Sequence, residues 1–456
     1  MMGRKDKPQS PLFYSFNLDE LVPQDHLLRH IDRFLDLSDL HQHLAPYYSH
    51  TGRPSVDPEL MIRMLLIGYC LGIRSERQLC EEVKLNLAYR WFCRLSIEDP
   101  VPDHSTFSKN RHGRFREAEA LRFVFEKVLQ SCIDAGLVGG EGFAVDASVV
   151  KADASRLRHH EDDDDWGGGS PAIRDYLDGL TEDDELPIKP PRKVSQTDPQ
   201  ARWIAVRGDR PFYAYSTNYL ADTDAGIIVD VEATPAYRTQ EVHSTRTMIE
   251  RVEERFAIKT RKLIGDTAYG SAELLNWMVN EKDIEPHVPV WEKSRRTDGT
   301  FSRSDFDFDE EADHYTCPNG KHLVRYQRRF KKPRSGIDKD NTIRYYAKRL
   351  DCEACPLKEQ CCPNALRRKV PRSVHESARD VAREIARTPA YQHTSRQRKQ
   401  VEMLFAHMKR ILKVDRLRLR GLKGAQDEFL LTATAQNLRR MAKYLGTGPP
   451  VVPGMA

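Results

Sequence analysis

Residues 394–413 read TSRQRKQVEMLFAHMKRILK, and this stretch decides how the rest of the chain is read. Val401, Leu404, Phe405, Met408, Ile411 and Leu412 recur at the spacing that gives a helix a single apolar stripe, so the stretch is expected to be a helix packed on a core. At about 100° per residue, Arg398, Glu402 and Lys409 fall in a row along one border of that stripe. An acid between two cations beside a buried face can be chemistry. It can equally be a surface pair between Glu402 and Arg398 one turn away, a contact of about 0.2–0.5 kcal/mol.

Two further acids stand in comparable surroundings. Asp146 lies in GFAVDASVV and Asp266 in KLIGDTAYGS, each within or just after a short aliphatic run. A hydrophobic strand that leads into an Asp, then small residues and a helix start, puts the carboxylate at the open edge of a sheet, where sites in α/β folds lie. Each Asp taken singly also suits a turn or helix cap.

The row Arg398-x3-Glu402-x6-Lys409, preceded by Asp in FAVDAS and by Asp in IGDTAYGS, resembles the acidic triad and signature helix of bacterial insertion-sequence transposases of the DDE class. The resemblance spans most of the chain. The family signature has a Tyr three residues before the Arg, where this chain has Ser395. The resemblance implies an α/β ribonuclease-H-like core with a mixed sheet, whose acids hold two divalent ions for DNA cleavage and joining. By matching positions, Asp146, Asp266 and Glu402 take the metal-ligand roles and Arg398 and Lys409 act as auxiliaries near the DNA.

The chemistry of the residues points the same way. Three carboxylates brought together in a half-buried site repel one another and take up protons unless a cation neutralises them. Hard oxygen ligands suit Mg²⁺ or Mn²⁺, and paired ions support phosphoryl transfer with water or a DNA 3′-hydroxyl as nucleophile. No covalent nucleophile from the protein is then needed.

With 456 residues the chain is long enough for two or three domains. Charged residues are 31% and hydrophobic ones 39%, with no apolar run of membrane length, and MMGRKDKPQS lacks the apolar middle of a signal peptide. A soluble, cytosolic protein is expected, without membrane partners. The net charge of +4 hides opposite poles: Thr394–Lys423 holds ten Lys or Arg against two acids, and Glu161–Ile188 eleven acids against one Arg.

The first 137 residues are dense in helical patterns and are read as a helical DNA-binding domain, after an N-terminal segment that docks through Leu12, Phe13 and Tyr14. Asp57 and Pro58 suit a helix cap and first turn, and Ser75, Asn86 and Asp103 open later helices. In the last of these Ser105, Thr106, Lys109 and Arg111 offer donors for phosphates or base edges; an ordinary solvated helix is the alternative. Residues 138–290 form the first part of the catalytic core. It is interrupted at about 155–200 by an acidic, Gly- and Pro-rich insertion, read as a solvated loop rather than a metal chelator; repulsion from DNA phosphates can hold it aside or discourage wrong substrates.

The strand around Asp146 is followed by the hairpin PFYAYSTNYLADTDAGIIVDVEATPA, so that three antiparallel strands begin the sheet. Then come a helix over Gln240–Phe256, the RKLIGD strand, a helix over Ser271–Glu281 and a Pro-interrupted edge strand in IEPHVPV. His243 is read as a helix-surface or core histidine.

Residues 291–379 form a basic insertion of loose periodicity that gathers Cys317, Cys352, Cys355, Cys361 and Cys362. Cys317, Cys352, Cys355 and Cys361 are a candidate structural Zn²⁺ site, with His322 able to replace one thiolate, because an insertion short of large apolar residues gains stability from a metal. Cys70, Cys80, Cys93 and Cys132 read as core thiols.

Residues 380–445 complete the core. Arg416, Arg418 and Arg420 alternate in RLRLR as a strip for phosphates, and a last helix covers the sheet with Phe429, Leu430, Ala433, Asn437 and Leu438. Residues 446–456 are a tail. The expected activity is a metal-dependent DNA transposase that cuts at transposon ends and joins the 3′-hydroxyl to target DNA, as a homodimer or higher assembly. The alternatives are a repurposed DNA-binding descendant without catalysis and a zinc-stabilised nucleic-acid adaptor.

Overall fold

The computed structural model describes residues 16–49, 51–52, 54–161, 193–206, 208–236, 238–291, 298–325, 336–338 and 341–445. Leu12, Phe13 and Tyr14, most of the acidic insertion and the tail lie outside the described residues. The chain divides into two compact units: residues 1–259 together with 399–456, and residues 260–398. No helix among the described residues is long and apolar enough to cross a membrane.

The first unit begins with short helices that start where the sequence has cap residues. Asp57 accepts the Glu59 N–H at the head of Pro58–Leu71, Ser75 that of Gln78 before Glu76–Leu85, and Asn86 those of Ala88 and Tyr89 before Leu87–Phe92. Pro58–Leu71 is buried nearly all round, so other elements must surround it. Its Arg63, 4% exposed, is held by Glu59, Asp32 and the Phe92 carbonyl. Ala120–Asp134 is the last helix before the strands.

Strand β1 (Phe143–Lys151) is followed by a small pair, β2 (His159–Glu161) and β3 (Lys193–Ser195). Then come β4 (Arg202–Ile204), β5 (Phe212–Asp222) and β6 (Ile228–Pro235). β5 runs antiparallel to β1 along one edge, from Phe143 opposite Asp222 to Lys151 opposite Ala214. Its other edge is shared by β4 and then β6, both antiparallel. The three antiparallel strands expected from the sequence are therefore present, with β4 added. Helix Arg238–Phe256 packs on β5 and β6.

The closing helix Gly421–Leu445 lies against β6 and against three of the early helices, Leu27–Asp32, Pro58–Leu71 and Ala120–Asp134. All five residues expected to cover the sheet are buried in it.

In the second unit β7 (Lys262–Ile264) runs parallel to β8 (Glu285–His287), with Pro286 inside β8. Helix Glu376–Ile385 packs on β8 and on Ala272–Asn276. The region of loose periodicity carries a five-stranded antiparallel meander that the sequence reading did not foresee. Its strands are β9 (Asp307–Asp309), β10 (His314–Thr316), β11 (His322–Arg325), β12 (Thr342–Tyr346) and β13 (Lys369–Ser373), neighbours in sheet order as in sequence. Phe306, Tyr315, Leu323, Tyr345 and Val370 give it a core of its own. The expectation of too few apolar residues is corrected: a few aromatic residues on strands of three to five residues suffice.

Candidate active site

The signature helix is Pro389–Arg410, longer at its start and shorter at its end than the stretch read from sequence. Val401, Leu404, Phe405 and Met408 are buried as the stripe requires, and Leu412, past the helix end, is buried too. Ile411 is 49% exposed, because the helix stops at Arg410 and the 100° rule no longer applies. The boundary between the two units falls inside this helix, after Arg398.

Within the first unit the helix is fixed beside Asp146. The first three residues of β1 are buried and the next four half-exposed, so the strand leaves the core at Asp146. This corrects one expectation: Asp146 is the fourth residue of a nine-residue strand, not a residue at its end. Directly across the ladder stands Tyr219, buried, and the Phe405 ring packs 5.3 Å from the Tyr219 ring. One turn further on, Lys409 donates from Nζ to the Val149 carbonyl at 3.2 Å, three residues along β1 from Asp146. Burial lowers the Lys409 pKa, and the carboxylates of Asp415 and Asp146 act against that. Asp146 accepts the Ala147 N–H at 2.9 Å.

Glu402 lies about 10 Å up the helix from Lys409 and is exposed, where the sequence reading had it half sheltered. Arg398 is half-exposed one turn before it.

Asp266 belongs to the second unit. It lies just beyond the end of β7, after Gly265, and is exposed, and its carboxylate accepts the Ala268 N–H at 2.7 Å as the cap of the 3₁₀ turn Thr267–Tyr269. It thus stands just past a strand end and caps a turn. The loop behind it is closed by Gly270, whose absent side chain would meet the Pro289 carbonyl at 2.0 Å. Among the described residues, no group of three or more His, Cys, Asp or Glu stands ready to hold a metal ion.

The five cysteines of the insertion line one cavity of about 20 Å³, so Cys362 joins the four singled out earlier. Cys317 accepts the Lys321 N–H, Cys352 that of Arg368, and Cys355 is approached by the Asn319 amide. Burial pushes the Cys361 thiol up to about 12. His322 meets the His314 ring edge-on, 4.1 Å between centroids, and is not part of the lining. Cys70, Cys80, Cys93 and Cys132 are buried in the first unit.

Of the helical-region residues, Ser105 and Lys109 are exposed and Thr106 half-exposed on Ser105–His112. Arg111 is different: it is 4% exposed and bound to Glu76 at 2.5 Å, so its charge is spent inside the protein and it is withdrawn as a DNA contact. Arg416, Arg418 and Arg420 are all exposed. His243 is exposed on its helix. Asp415, beside Lys409, and the buried Glu428 were not picked out in the sequence, where nothing separates them from surface acids of a basic stretch.

Comparison with known proteins supplies the context. A family model described as a transposase domain matches residues 16–113, and one described as a transposase DDE domain matches residues 316–442. Of the three acids the second spans Glu402 only. No curated protein matches the chain. Among solved structures, the chain is similar to a piggyBac transposase synaptic complex with hairpin DNA, at 9% identity and a TM-score of 0.35, over 91% of this chain and 72% of that one. It is also similar to a Mos1 transposase paired-end complex with the left transposon end, at 10% identity and a TM-score of 0.17, over 53% and 60%. Likenesses of that size carry no structural argument. The chain thus carries, in order along the sequence, a segment that matches a transposase domain and one that matches a transposase DDE domain.

Proposed function

We propose that the protein is a metal-dependent transposase that cleaves DNA at transposon ends and transfers the freed 3′-hydroxyl into target DNA. The observation that carries this reading is the seating of the signature helix beside Asp146, with Phe405 on the cross-strand Tyr219 and Lys409 on the Val149 carbonyl. That is the helix and strand on which the family places two of its three acids.

Asp146, Asp266 and Glu402 would be the ligands of two Mg²⁺ or Mn²⁺ ions. The donor set fits, being carboxylate oxygens that are exposed or half-exposed and hence open to a hydrated hard cation. When bound, such ions supply charge neutralisation at the scissile phosphate and a lowered pKa for the attacking oxygen. Lys409, held on β1 and close to Asp146, adds a fixed positive charge at the acid's side, and Arg398 lies on the same helix. The reading takes the α/β core as ribonuclease-H-like, the antiparallel β1, β5 and β6 and the parallel β7 and β8 being in the expected chain order. The helical region, with Ser105, Thr106 and Lys109, would grip DNA, and pairing of two ends would need a dimer or higher assembly.

The test is cleavage and strand transfer on DNA carrying the element's ends, with Mg²⁺ or Mn²⁺. Asp146→Ala, Asp266→Ala and Glu402→Ala are each expected to lower the rate at least about 100-fold, beyond the loss typical of an outer-shell partner, with duplex binding retained. Strand transfer at the normal rate in any of the three overturns its assignment. Duplex binding by the unaltered protein with no cleavage under any divalent ion would favour the repurposed descendant.

The cysteine-lined cavity is proposed as a structural zinc site, the thiols having to draw together around the ion, on the strength of five cysteines lining one cavity and N–H groups directed at two of their sulfurs. Metal analysis of the purified protein is expected to give one zinc per chain, lost in Cys355→Ser together with thermal stability. A zinc-free protein of unchanged stability rejects it.

A further inference from the structure

The arginine strip pairs with the end of β1 and then bends at Arg418 and Leu419, and five of its backbone donors between Leu417 and Leu422 are held. Lys151 N–H donates to the Asp415 carbonyl at 3.3 Å and Leu417 N–H to the Lys151 carbonyl at 2.8 Å, one rung of parallel pairing at the end of β1. Leu417 is fully buried, and Arg416, Arg418 and Arg420 are exposed.

Beyond Leu417 no strand continues the pairing, and side chains take over. Glu428, fully buried in the closing helix, accepts the N–H of Arg418 at 2.5 Å and of Leu419 at 2.6 Å through Oε1. Its Oε2 meets the buried guanidinium of Arg74. Asp198, itself buried and bound by the Tyr215 hydroxyl, accepts the Gly421 N–H at 3.2 Å, and Gln200 accepts that of Leu422 at 2.6 Å.

Burying a charged carboxylate costs several kcal/mol before its partners are counted, and ending a surface loop needs nothing so costly. What the arrangement achieves is a backbone fixed between Arg418 and Leu422, with the cationic side chains outward. Asp153 lies against the outer ends of two of them, its Oδ2 3.0 Å from Arg420 Nη2 and its Oδ1 3.6 Å from Arg416 Nη2. A guanidinium fork accepts carboxylate and phosphate oxygens in the same geometry, so Asp153 occupies a place that a phosphate can take.

We propose that Arg416, Arg418 and Arg420 form a rigid comb of cations that binds backbone phosphates of DNA without reading bases, and that Glu428 is the positioning residue that sets it. The inference rests on the DNA-processing reading above. It specifies the contact as sequence-independent backbone binding. Asp153 competes with the phosphates.

The test is fluorescence anisotropy of the full-length protein with a duplex of the element's end and an unrelated duplex of equal length, followed as log K against log salt. The unaltered protein is expected to bind both. Replacing the three arginines by Gln is expected to flatten the slope by about 2.7 units, three phosphates at about 0.9 each, and equally on both duplexes. Asp153→Asn is expected to raise affinity a few-fold at low salt.

Glu428→Gln and Glu428→Leu both remove the charge opposite Arg74 and should melt below the unaltered protein, the Leu variant lower still because two backbone N–H groups lose their acceptor. Only the Leu variant loses the acceptor, so a flattened slope is expected in Leu and not in Gln. A slope unchanged in the triple variant while duplex still binds overturns the comb and leaves the transposase reading standing. Loss confined to the element's own duplex overturns backbone reading. If the unaltered protein binds neither duplex, the transposase reading itself fails. Should Glu428→Leu not fold, amide exchange in the unaltered protein decides: Arg418 and Leu419 are expected to be protected as well as Leu417, and exchange at open-loop rates overturns the role of Glu428.

Discussion

Glu376 is 1% exposed and is met by three guanidinium groups, those of Arg303, Arg379 at 3.0 Å and Arg383 at 2.8 Å. Burial pushes its pKa up, the arginines outweigh burial, and the carboxyl ends at about 2. Because the folded value lies below the ordinary 4.5, the ionised group stabilises the fold above pH 4.5, and that stabilisation is lost as pH falls from 4.5 towards 2. The depression from 4.5 to about 2 corresponds to roughly 3 kcal/mol. The stability gap between the unaltered protein and Glu376→Gln is therefore expected to be widest near neutrality and to close by about pH 2 in denaturation curves; a gap independent of pH would refute it. Asp198, Asp222 and Asp427 act in the opposite sense. Burial raises each to about 6, so each favours the fold more at pH 4 than at pH 7. None of this was legible beforehand. In SVHESARDVARE, Glu376 reads as an ordinary acid in a helix's first turn, and only the return of Arg303 from an earlier segment makes it buried and triply paired.

At the level of elements, the edge of β6 shows how helix and sheet are joined. Asn437 accepts the Ile228 N–H and donates to the Ile228 carbonyl, both at 2.8 Å. Gln426 accepts the Ala233 N–H at 2.6 Å and donates to the Val231 carbonyl at 3.0 Å. Two amide side chains on the closing helix thus serve the backbone groups that a neighbouring strand would have used, which removes an open edge. Asn437 is fully buried, so Asn437→Ala leaves two backbone groups without partners, at about 1–3 kcal/mol each. Urea unfolding is expected to show a midpoint lowered by at least about 2 kcal/mol in free energy with an unchanged slope; a change below about 0.5 kcal/mol would mean that the edge is satisfied otherwise. The sequence had placed Asn437 among the residues that cover the sheet. Its role as a substitute strand was out of reach, since an Asn at a buried helical position shows its site but not its partner.

For the molecule as a whole, the long periodic elements were readable. The early helices with their caps, the β5–β6 hairpin, the signature helix and the closing helix all follow from spacing, because amphipathic runs of ten residues or more repeat their pattern often enough to stand out. The meander of the second unit escaped, since its strands span three to five residues and alternate for barely one period. The sequence by itself determined which residues are apolar, where helices begin, and that three acids and a cysteine group are present. Only the tertiary structure decided that residues 399–456 return to the first 259 residues, that Asp146 lies inside its strand beside Lys409, and that Arg111 is buried on Glu76 while Arg416, Arg418 and Arg420 face outward. The physical reason is that local pattern is set by side chains a turn or a strand step apart, whereas burial and charge pairing depend on segments hundreds of residues away, as Glu428 does on Arg74.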